Sequence, residues 1–391
     1  MTVERTLPTP EAEQLLELTR EIVDKELTPR AAHDEESGLF PREVFGVLGS
    51  SGLLGLPYPD EHGGGGQPYE VYLQVVEELA RGWLAVGLGV SVHTLSCYPV
   101  AEFGSKEQKA TLLPDMLGGD LLGAYCLSEI TSGSDAAALA TRAEPTDDGY
   151  RVNGAKAWIT HGGHADYYTL FARTGAPDSG SRGISCFHVP AGVRGLDAAP
   201  PERKMGMNSS PTAGVLFDDV RLDADALVGE RDKGFGVALA ALDSGRLGIA
   251  ACAVGVAQAA LDAALAYSRE RRQFGAAIGD MQGVGFMLAD MATQVAASRE
   301  LYLAAARLRD AGRPFSKQAA MAKLLATDTA MKVTTDAVQV FGGYGYTRDF
   351  PVERHMREAK VLQIVEGTNQ VQRLVISRHL AREQDSDVRG Q

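Results

Sequence analysis

Cysteine is scarce in this sequence. Only four occur in 391 residues (Cys97, Cys126, Cys186 and Cys252), and no two of them form a C-x-x-C pair. In so long a chain, this spacing argues against a disulfide framework and against the usual zinc-binding arrangements. We therefore expect four reduced, buried thiols, as is typical of a cytoplasmic protein.

An excess of basic residues is also missing. The chain contains 38 Lys and Arg against 51 Asp and Glu, which gives a net charge of −13. Nucleic acids and anionic membrane surfaces attract basic faces, so the charge argues against both as main partners. A few local arginines could still bind an anionic substrate, because the total charge does not describe a single site.

Targeting and membrane-spanning segments are not apparent either. The first residues, MTVERTLPTPEAEQ, do not form a basic start followed by an apolar run, so we expect no signal peptide. We also expect no membrane span, because no apolar stretch is expected to reach the roughly 18 residues that a span needs. The sequence therefore predicts a cytoplasmic protein.

Several widespread catalytic motifs are absent. The sequence contains no P-loop, no G-x-S-x-G, no H-E-x-x-H, and no G-x-G-x-x-G after a predicted strand. His161 and His164 are close enough to share a metal ion, but neither has a carboxylate or a cysteine beside it in the sequence. We predict no metal site.

Three regions that differ in residue types and in the spacing of apolar residues follow one another along the chain. Residues 1–120 show helical apolar spacing, residues 121–235 contain short β-branched and aromatic segments between turns, and residues 236–391 are helical again. This order predicts an α+β multidomain protein. We expect an N-terminal α-helical domain, a central β-barrel or sandwich domain and a C-terminal four-helix bundle.

Local signals refine these three regions. Ser105 is a good N-cap for a helix, and the Asn153-Gly154 pair predicts a hairpin turn. Later helices are expected over 283–311, 316–341, 351–363 and 369–383, followed by a frayed polar tail. A buried seam is predicted on the first helix of the C-terminal region, at Leu247, Ala251, Val254, Gln258, Leu261 and Leu265.

Two candidate ligand-binding stretches lie in the predicted β region. The segment YCLSEITSGSD, residues 125–135, ends in a Gly- and Ser-rich turn that suits the polar edge of a flat ring or a phosphate. The alternative is an ordinary surface turn. The segment WIT, residues 158–160, offers an aromatic face and a hydroxyl to a ring system, although a strand Trp can equally belong to the core.

Two further stretches lie in the C-terminal region. The segment RERRQFG, residues 269–275, either binds phosphate or complements the dipole at the end of a helix. The segment QVFGGYGY, residues 339–346, contains three glycines that allow a ligand to approach the backbone. A helix cap explains one of these glycines but not all three.

The fifth stretch is VEGTNQVQR, residues 365–373. Glu366 lies in a break between two predicted helices, and Thr368 is well placed to cap the second helix. Apolar neighbours could raise the pKa of the Glu366 carboxyl group enough for it to act as a base near neutral pH. The alternative is a solvated glutamate in a loop.

Taken together and in this order, the five stretches resemble the acyl-CoA dehydrogenase family over residues 10–383. The resemblance implies an FAD-dependent enzyme that converts an acyl-CoA thioester to a trans-2-enoyl-CoA and passes electrons to an electron-transferring flavoprotein. It also implies a homotetramer in which FAD lies between the β domain and the helical bundle. A neighbouring subunit would complete the FAD site.

The resemblance assigns a role to each stretch. Glu366 would remove the α-proton while the β-hydride passes to the flavin, and the Glu366 backbone N–H would polarise the thioester carbonyl. The residues implied at the flavin ring are Tyr125, Cys126, Leu127, Ser128, Gly133, Ser134, Trp158, Ile159 and Thr160. The other implied FAD contacts are Arg271, Phe274, Gln282, Gln339, Val340, Gly342, Gly343, Thr368 and Gln370. The implied substrate contacts are Ser134, Asp243, Arg246, Gly367 and Arg378.

The sequence departs from the family pattern at three positions. Ile130 replaces a usual proline, which changes the shape expected for the loop after Glu129. Position 245 is Gly where the isovaleryl branch of the family carries its base, so Glu366 is the single candidate. Gly245 and Val365, which stands where many straight-chain members have Tyr, favour short or branched acyl groups.

Other functions remain compatible with the same fold. One is a flavoenzyme that uses O₂, either an oxidase or a monooxygenase. Another is a dehydrogenase that acts on a thioester bound to a carrier protein. A helical scaffold without catalytic activity is the alternative from another class, and the carboxylate at position 366 argues against it.

Overall fold

The N-terminal part of the chain is helical, as its apolar spacing predicts. A computed structural model describes residues 3–389. Thr9 caps the first helix by accepting a hydrogen bond from the Ala12 amide, and Ser105 forms the predicted N-cap of the sixth in a capping box with Gln108. The helices are α1 (Pro10–Ile22), α2 (Ala31–Ser37), α3 (Arg42–Ser50), α4 (Tyr69–Gly82), α5 (Leu84–Phe103) and α6 (Lys106–Gly118).

The central part contains one mixed sheet of eight strands, which confirms the predicted β domain. The strand order runs β6-β7-β3-β2-β4-β5-β8, and β1 pairs in parallel with β4. The strands are β1 (Gly123–Cys126), β2 (Arg142–Pro145), β3 (Gly149–Thr160), β4 (Tyr167–Arg173), β5 (Ile184–Pro190), β6 (Leu196–Ala198), β7 (Thr212–Asp223) and β8 (Leu227–Val228).

The prediction of a hairpin turn at Asn153-Gly154 is wrong. The turn between β2 and β3 lies earlier, where the Thr146 amide donates to the Gly149 carbonyl over 2.9 Å. Asn153-Gly154 instead lies inside β3 at a register shift, and the Asn153 side chain accepts a hydrogen bond from the Asp219 amide of β7. The glycine therefore serves a β-bulge, where its positive φ of 148° is tolerated.

The C-terminal part is helical again, with α7 at its centre. This helix packs against α4, α5, α8 and α9, and its predicted seam is confirmed because every member is buried except the half-buried Leu265. A two-stranded hairpin of β9 (Arg272–Gln273) and β10 (Ala276–Ala277) separates α7 from α8. The helices are α7 (Gly234–Glu270), α8 (Gln282–Asp310), α9 (Ser316–Phe341), α10 (Val352–Leu362) and α11 (Asn369–Arg389).

The two ends of the chain are described only in part. The tail expected to fray is helical as far as Arg389, whereas residues 390 and 391 lie outside the described residues. Residues 1 and 2 of the segment that was considered for a signal peptide also lie outside them. The domain boundaries expected at 120/121 and 235/236 stay predictions.

Two apolar helices that were not expected from the sequence are long enough to cross a membrane. Leu84–Phe103 and Gly234–Glu270 both pass a test of length and composition, so the expectation that no such stretch exists is wrong. Their apolar windows are 89% and 72% buried inside the protein. Because α5 and α7 pack against several other elements, we interpret them as core helices.

The four cysteines and His161 lie in the packed interior. All four cysteines are free thiols and buried, as predicted. His161 is buried between aromatic rings and its Nδ1 lies 3.0 Å from the Gly123 carbonyl oxygen. Among residues 3–389, no group of three or more His, Cys, Asp or Glu side chains could hold a metal ion.

A buried ionic cluster joins α4 to α8 and to the N-terminal segment. Glu77 is fully buried, and its carboxylate accepts hydrogen bonds from Arg5, Arg299 and Tyr302. Burial alone would raise the pKa of Glu77, but the two guanidinium groups lower it to about 2. The ionised carboxylate therefore stabilises the folded state.

We predict that Glu77→Gln lowers the free energy of unfolding by about 3–5 kcal/mol, because buried Arg299 loses its counter-charge and buried Arg5 keeps only its pair with Glu78. The contribution of Glu77 should be fully present above pH 4.5, the ordinary pKa of a glutamate, and should disappear as the pH falls toward about 2. Denaturant unfolding at several pH values would measure both effects. Glu21→Gln, which breaks an exposed pair with Lys25, is the control and should cost less than about 1 kcal/mol.

Candidate active site

Glu366 lies in the break between α10 and α11, in a backbone conformation that non-glycine residues rarely adopt. Its φ is 51°, and Gly367 follows with a φ of 89°. The Gln372 amide group donates to the carbonyls of both residues, at 3.3 and 2.8 Å. Thr368 caps α11 as predicted by accepting from the Val371 amide. A left-handed conformation of this kind costs on the order of 1–3 kcal/mol and is often found at functional sites.

The Glu366 carboxylate points into the protein. Both of its oxygens are buried and have no hydrogen-bond partner within residues 3–389, so the alternative of a solvated loop glutamate is wrong. A side chain at Gly245 on α7 would overlap this carboxylate and would crowd Leu95 on α5. Burial raises the pKa of Glu366 to about 7, against the opposing effects of Lys323 and Arg246.

Two cations approach the Glu366 carboxylate from different helices. Arg246 on α7 is buried and pairs with Asp243, which also accepts from the Ser316 hydroxyl at 2.9 Å. Lys323 on α9 is fully buried and was missed by the sequence analysis. The sequence does contain a signal for the burial of Lys323, because this lysine stands alone on a helical face that is otherwise rich in alanine.

The two predicted stretches of the β domain lie next to each other. The Ala157 amide donates to the Ser128 carbonyl over 2.9 Å, which brings residues 125–135 beside the segment WIT. Trp158 has a φ of 65° and is 62% exposed, so the alternative of a core tryptophan is wrong. Its indole ring is available to a flat ligand. Gly133 and Ser134 are exposed in the neighbouring turn.

A buried ion pair holds this turn in place. Lys156 donates to the Leu127 carbonyl at 3.0 Å and to the Glu129 carboxylate at 2.9 Å. The same carboxylate accepts from the amides of Ala140 and Thr141. The sequence analysis did not single out this pair. Its effect is to fix the turn that begins at Glu129.

Three residues predicted at the flavin have side chains that face the core. Cys126 and Ile159 are buried in the apolar core of the sheet, and Leu127 is buried in a neighbouring cluster. Because side chains alternate along a strand, Cys126 points to the face opposite Tyr125, whereas Leu127 packs in the same apolar cluster as Tyr125. With their side chains buried, these three residues can therefore offer only backbone groups to a ligand.

The third and fourth stretches line one cleft of about 550 Å³. Arg271 ends α7 and places its guanidinium carbon 5.7 Å from the centre of the Tyr344 ring. Gly342, with a φ of 60°, has open space where a side chain would extend. The cleft is lined by Tyr267, Arg271, Gln273, Ile278, Val340, Phe341, Gly342, Gly343, Tyr344 and Thr347.

The remaining predicted residues are not part of this lining. Phe274 is 98% exposed, and Gln282 and Gln339 are exposed near the cleft. Gln370 and Arg378 are exposed on α11. Tyr125 is oriented by a hydrogen bond from its hydroxyl to the Ala238 carbonyl of α7, at 3.2 Å.

The residues present fit a flavin nucleotide. An exposed indole, a turn with exposed glycine and serine, and a cleft with an arginine and open glycines are suited to a ring, a polar edge and a phosphate respectively. A buried carboxylate with a pKa near 7 is suited to removing a proton from carbon. Fold and site together define a three-domain enzyme of the flavin-dependent dehydrogenase class.

Comparison with known proteins identifies the family. Models of the N-terminal, middle and C-terminal domains of acyl-CoA dehydrogenase match residues 9–120, 124–220 and 232–381. The chain is 44% identical to an acyl-CoA dehydrogenase of Bacillus subtilis over 95% of this chain and 98% of that protein. It is 42% identical to the human mitochondrial short-chain specific acyl-CoA dehydrogenase, over 97% and 93% of the two chains.

A solved structure agrees with this result. Butyryl-CoA dehydrogenase from Megasphaera elsdenii superposes with a TM-score of 0.94 at 40% identity, over 97% of this chain and all of that one. The protein therefore belongs to the acyl-CoA dehydrogenase family and is an acyl-CoA dehydrogenase enzyme.

A substitution at Arg271 distinguishes phosphate binding from helix-dipole complementation, the two interpretations of residues 269–275. If its guanidinium binds the cofactor phosphates, Arg271→Ala loses a charge-assisted hydrogen bond worth about 1.5–3 kcal/mol, and FAD should bind roughly 10- to 150-fold more weakly. Titration of the apoprotein with FAD would measure this. The control is Arg269→Ala, which removes a neighbouring cation from the last turn of α7 and should leave FAD affinity unchanged. Equal FAD affinity of wild type and Arg271→Ala would support the helix-dipole interpretation.

Proposed function

We propose that this protein catalyses FAD-dependent α,β-dehydrogenation of a short acyl-CoA thioester, with Glu366 as the base that removes the α-proton. The observation that carries the proposal is the Glu366 carboxylate, which is buried beside Gly245 with no hydrogen-bond donor in the described chain. A carboxylate with a pKa of about 7 accepts a proton more readily than a solvated glutamate and is still partly ionised at neutral pH.

The residues that would hold FAD belong to two groups. Trp158, Thr160 and the turn containing Gly133 and Ser134 would contact the flavin ring, partly through backbone groups. Arg271 and the other C-terminal residues named for this role would contact the phosphates and the adenosine. Bound FAD supplies the acceptor for the β-hydrogen.

The Glu366 backbone also suits the thioester. Within residues 3–389 its amide N–H makes no hydrogen bond, so it is free to donate to a carbonyl oxygen. Such a donor favours the negative charge that develops on the oxygen when the α-proton leaves. One residue would then stabilise the developing oxyanion through its backbone and remove the proton through its side chain.

The space behind Gly245 limits how far an acyl chain can extend. The cavity there contains only about 10 Å³ of free volume, about enough for one water molecule. Three tyrosines, at positions 58, 69 and 98, close it together with Leu95 on α5. A long straight chain would have to displace these rings, of which Tyr58 and Tyr69 are buried. Two of the reported relatives, a short-chain and a butyryl-CoA dehydrogenase, are named for short substrates.

We also propose the partners and location that follow from this function. The acceptor of the electrons would be an electron-transferring flavoprotein, and the enzyme would be a cytoplasmic homotetramer. Phe274 and Tyr346 are almost fully exposed near the cleft at the end of α7. Aromatic side chains so exposed are suited to an interface between subunits, which would complete the cofactor site.

Replacement of the proposed base is the direct test. Glu366→Gln preserves the shape of the side chain, so FAD should stay bound and the melting temperature should remain near that of the wild type. Anaerobic reduction of the flavin by an acyl-CoA should slow by about 10²–10⁴-fold, because no other carboxylate is available at position 245. In the wild type, the rate should rise with pH around 7 as Glu366 ionises. A variant that reduced its flavin at the wild-type rate would overturn the proposal.

A second base position offers a positive control. A side chain at position 245 would overlap the Glu366 carboxylate, so Gly245→Glu should be combined with Glu366→Gly. Glycine is compatible with the positive φ at position 366. The double variant should regain part of the rate that the single Glu366→Gly variant loses.

Chain length provides a separate prediction. Thioesters with four or five acyl carbons should give the highest kcat/KM with an artificial dye acceptor, and straight chains of twelve carbons should react poorly. Tyr69→Ala would enlarge the cavity and should raise the relative activity toward longer chains. Highest activity of the wild type on a twelve-carbon substrate would contradict the inference from the cavity.

A further inference from the structure

Lys323 is an ammonium group in an apolar position. It is fully buried on α9, on a face that otherwise carries alanines such as Ala319, Ala326 and Ala330. An ammonium group is costly to bury unless it is hydrogen-bonded or paired. Its Nζ donates to the Gly367 carbonyl at 3.0 Å and to the Asn369 side-chain oxygen at 2.9 Å. Both acceptors belong to the short segment that directly follows Glu366.

The same helix holds Asn369 through neutral and acidic groups. The Asn369 amide donates to the Thr327 hydroxyl at 2.9 Å and to the Asp328 carboxylate at 2.7 Å. Thr327 in turn donates to the Lys323 carbonyl. The beginning of α11 is therefore attached to α9 at three neighbouring positions. Of these, only Lys323 also contacts the peptide next to Glu366.

The carbonyl of Gly367 accepts two hydrogen bonds, one from Lys323 and one from Gln372 at 2.8 Å. Gln372 also donates to the Glu366 carbonyl. Two donors on adjacent carbonyls restrict the rotation of this backbone. They support the left-handed conformation at Glu366, which is unfavourable without such contacts.

The other groups around Glu366 are neutral or already paired. Burial raises the pKa values of Tyr69 and Tyr72 on α4, Tyr125 on β1 and Cys252 on α7, so these groups are uncharged near pH 7. Arg246 is paired with Asp243. Asp328 acts on Lys323 from the same helix, and its carboxylate bonds to the amides of Asn369 and Gln363.

The hydrogen bonds of Lys323 thus go to neutral acceptors beside Glu366, and its positive charge acts on the Glu366 carboxylate without a hydrogen bond between them. Burial lowers the pKa of Lys323 to about 8, and the Glu366 carboxylate opposes that shift. The ammonium group is then mostly protonated at pH 7. Its charge favours the ionised carboxylate, which is the form that accepts a proton.

We propose that Lys323 is a positioning residue for proton removal, which fixes the Glu366–Gly367 peptide and supplies the positive charge that keeps the Glu366 carboxylate ionised. This inference rests on the proposed role of Glu366 as the base. Lys323 acts through Glu366 and has no assigned contact with substrate or cofactor.

The test is a pH titration of Glu366 in Lys323→Met and Lys323→Gln. Infrared spectroscopy detects the protonated carboxyl group, and the band is assigned by its loss in Glu366→Gln. Without the ammonium charge, the midpoint of the titration should move upward by on the order of one pH unit in both variants. The pH at which anaerobic flavin reduction is half-maximal should move by the same amount. Lys323→Gln keeps a donor for the Gly367 carbonyl, so it remains informative where Lys323→Met folds poorly.

Two control variants separate charge from packing. Lys323→Arg retains the charge and should restore a midpoint close to that of the wild type. Thr327→Val breaks a neutral hydrogen bond to Asn369 in the same network, so it should lower the melting temperature but leave the midpoint unchanged. A wild-type midpoint in Lys323→Gln, or an equal shift in Thr327→Val, would overturn the proposal.

The experiment is independent of the chemistry proposed above. The infrared titration reports the ionisation of Glu366 whether or not this residue removes the α-proton. Normal flavin reduction by Glu366→Gln would overturn the proposed base and leave the titration result intact. An unchanged midpoint in the Lys323 variants would overturn only the role of Lys323.

Discussion

A buried carboxylate loses the hydration that favours its ionised form, and Glu366 is buried with no hydrogen-bond donor in the described part of the chain. Such a group is kept only where the surrounding structure compensates for it. Here the compensation comes from the two cations on α7 and α9, while Gln372 holds the unfavourable backbone conformation at Glu366. The position of these helices relative to the break between α10 and α11 therefore decides whether the carboxylate is available as a base.

Close packing around α7 sets the position of the helices that surround Glu366. A side chain at Gly245 would overlap the Glu366 carboxylate, one at Gly248 would overlap Ser91 of α5, and one at Gly255 would overlap the backbone of α4. The glycines thus allow the N-terminal helices to approach α7 closely along its length. The same approach closes the cavity behind Gly245, so the fold that buries the carboxylate also limits the space for the acyl chain.

Much of this architecture can be read from the sequence, because helical apolar spacing and capping residues are local signals. They predicted the seam on α7, the cap at Ser105 and the break at Glu366. The Asn153-Gly154 pair does not predict its own structure, because the same residues suit a turn and a β-bulge, and pairing with β7 decides between them. Lys323 was missed because its partners lie more than forty residues away, at Gly367 and Asn369.

Glu77 and Glu366 show why residue type and burial do not identify a base. Both carboxylates are buried, yet the pKa of Glu77 is lowered to about 2 and that of Glu366 is raised to about 7. Glu77 receives direct hydrogen bonds from two guanidinium groups, so its negative charge is matched and it has little tendency to bind a proton. The positive charges of Lys323 and Arg246 favour the ionised Glu366 carboxylate, but within residues 3–389 no group donates a hydrogen bond to its oxygens. This difference in partners, rather than any difference in depth, makes one carboxylate a structural link and leaves the other able to accept a proton.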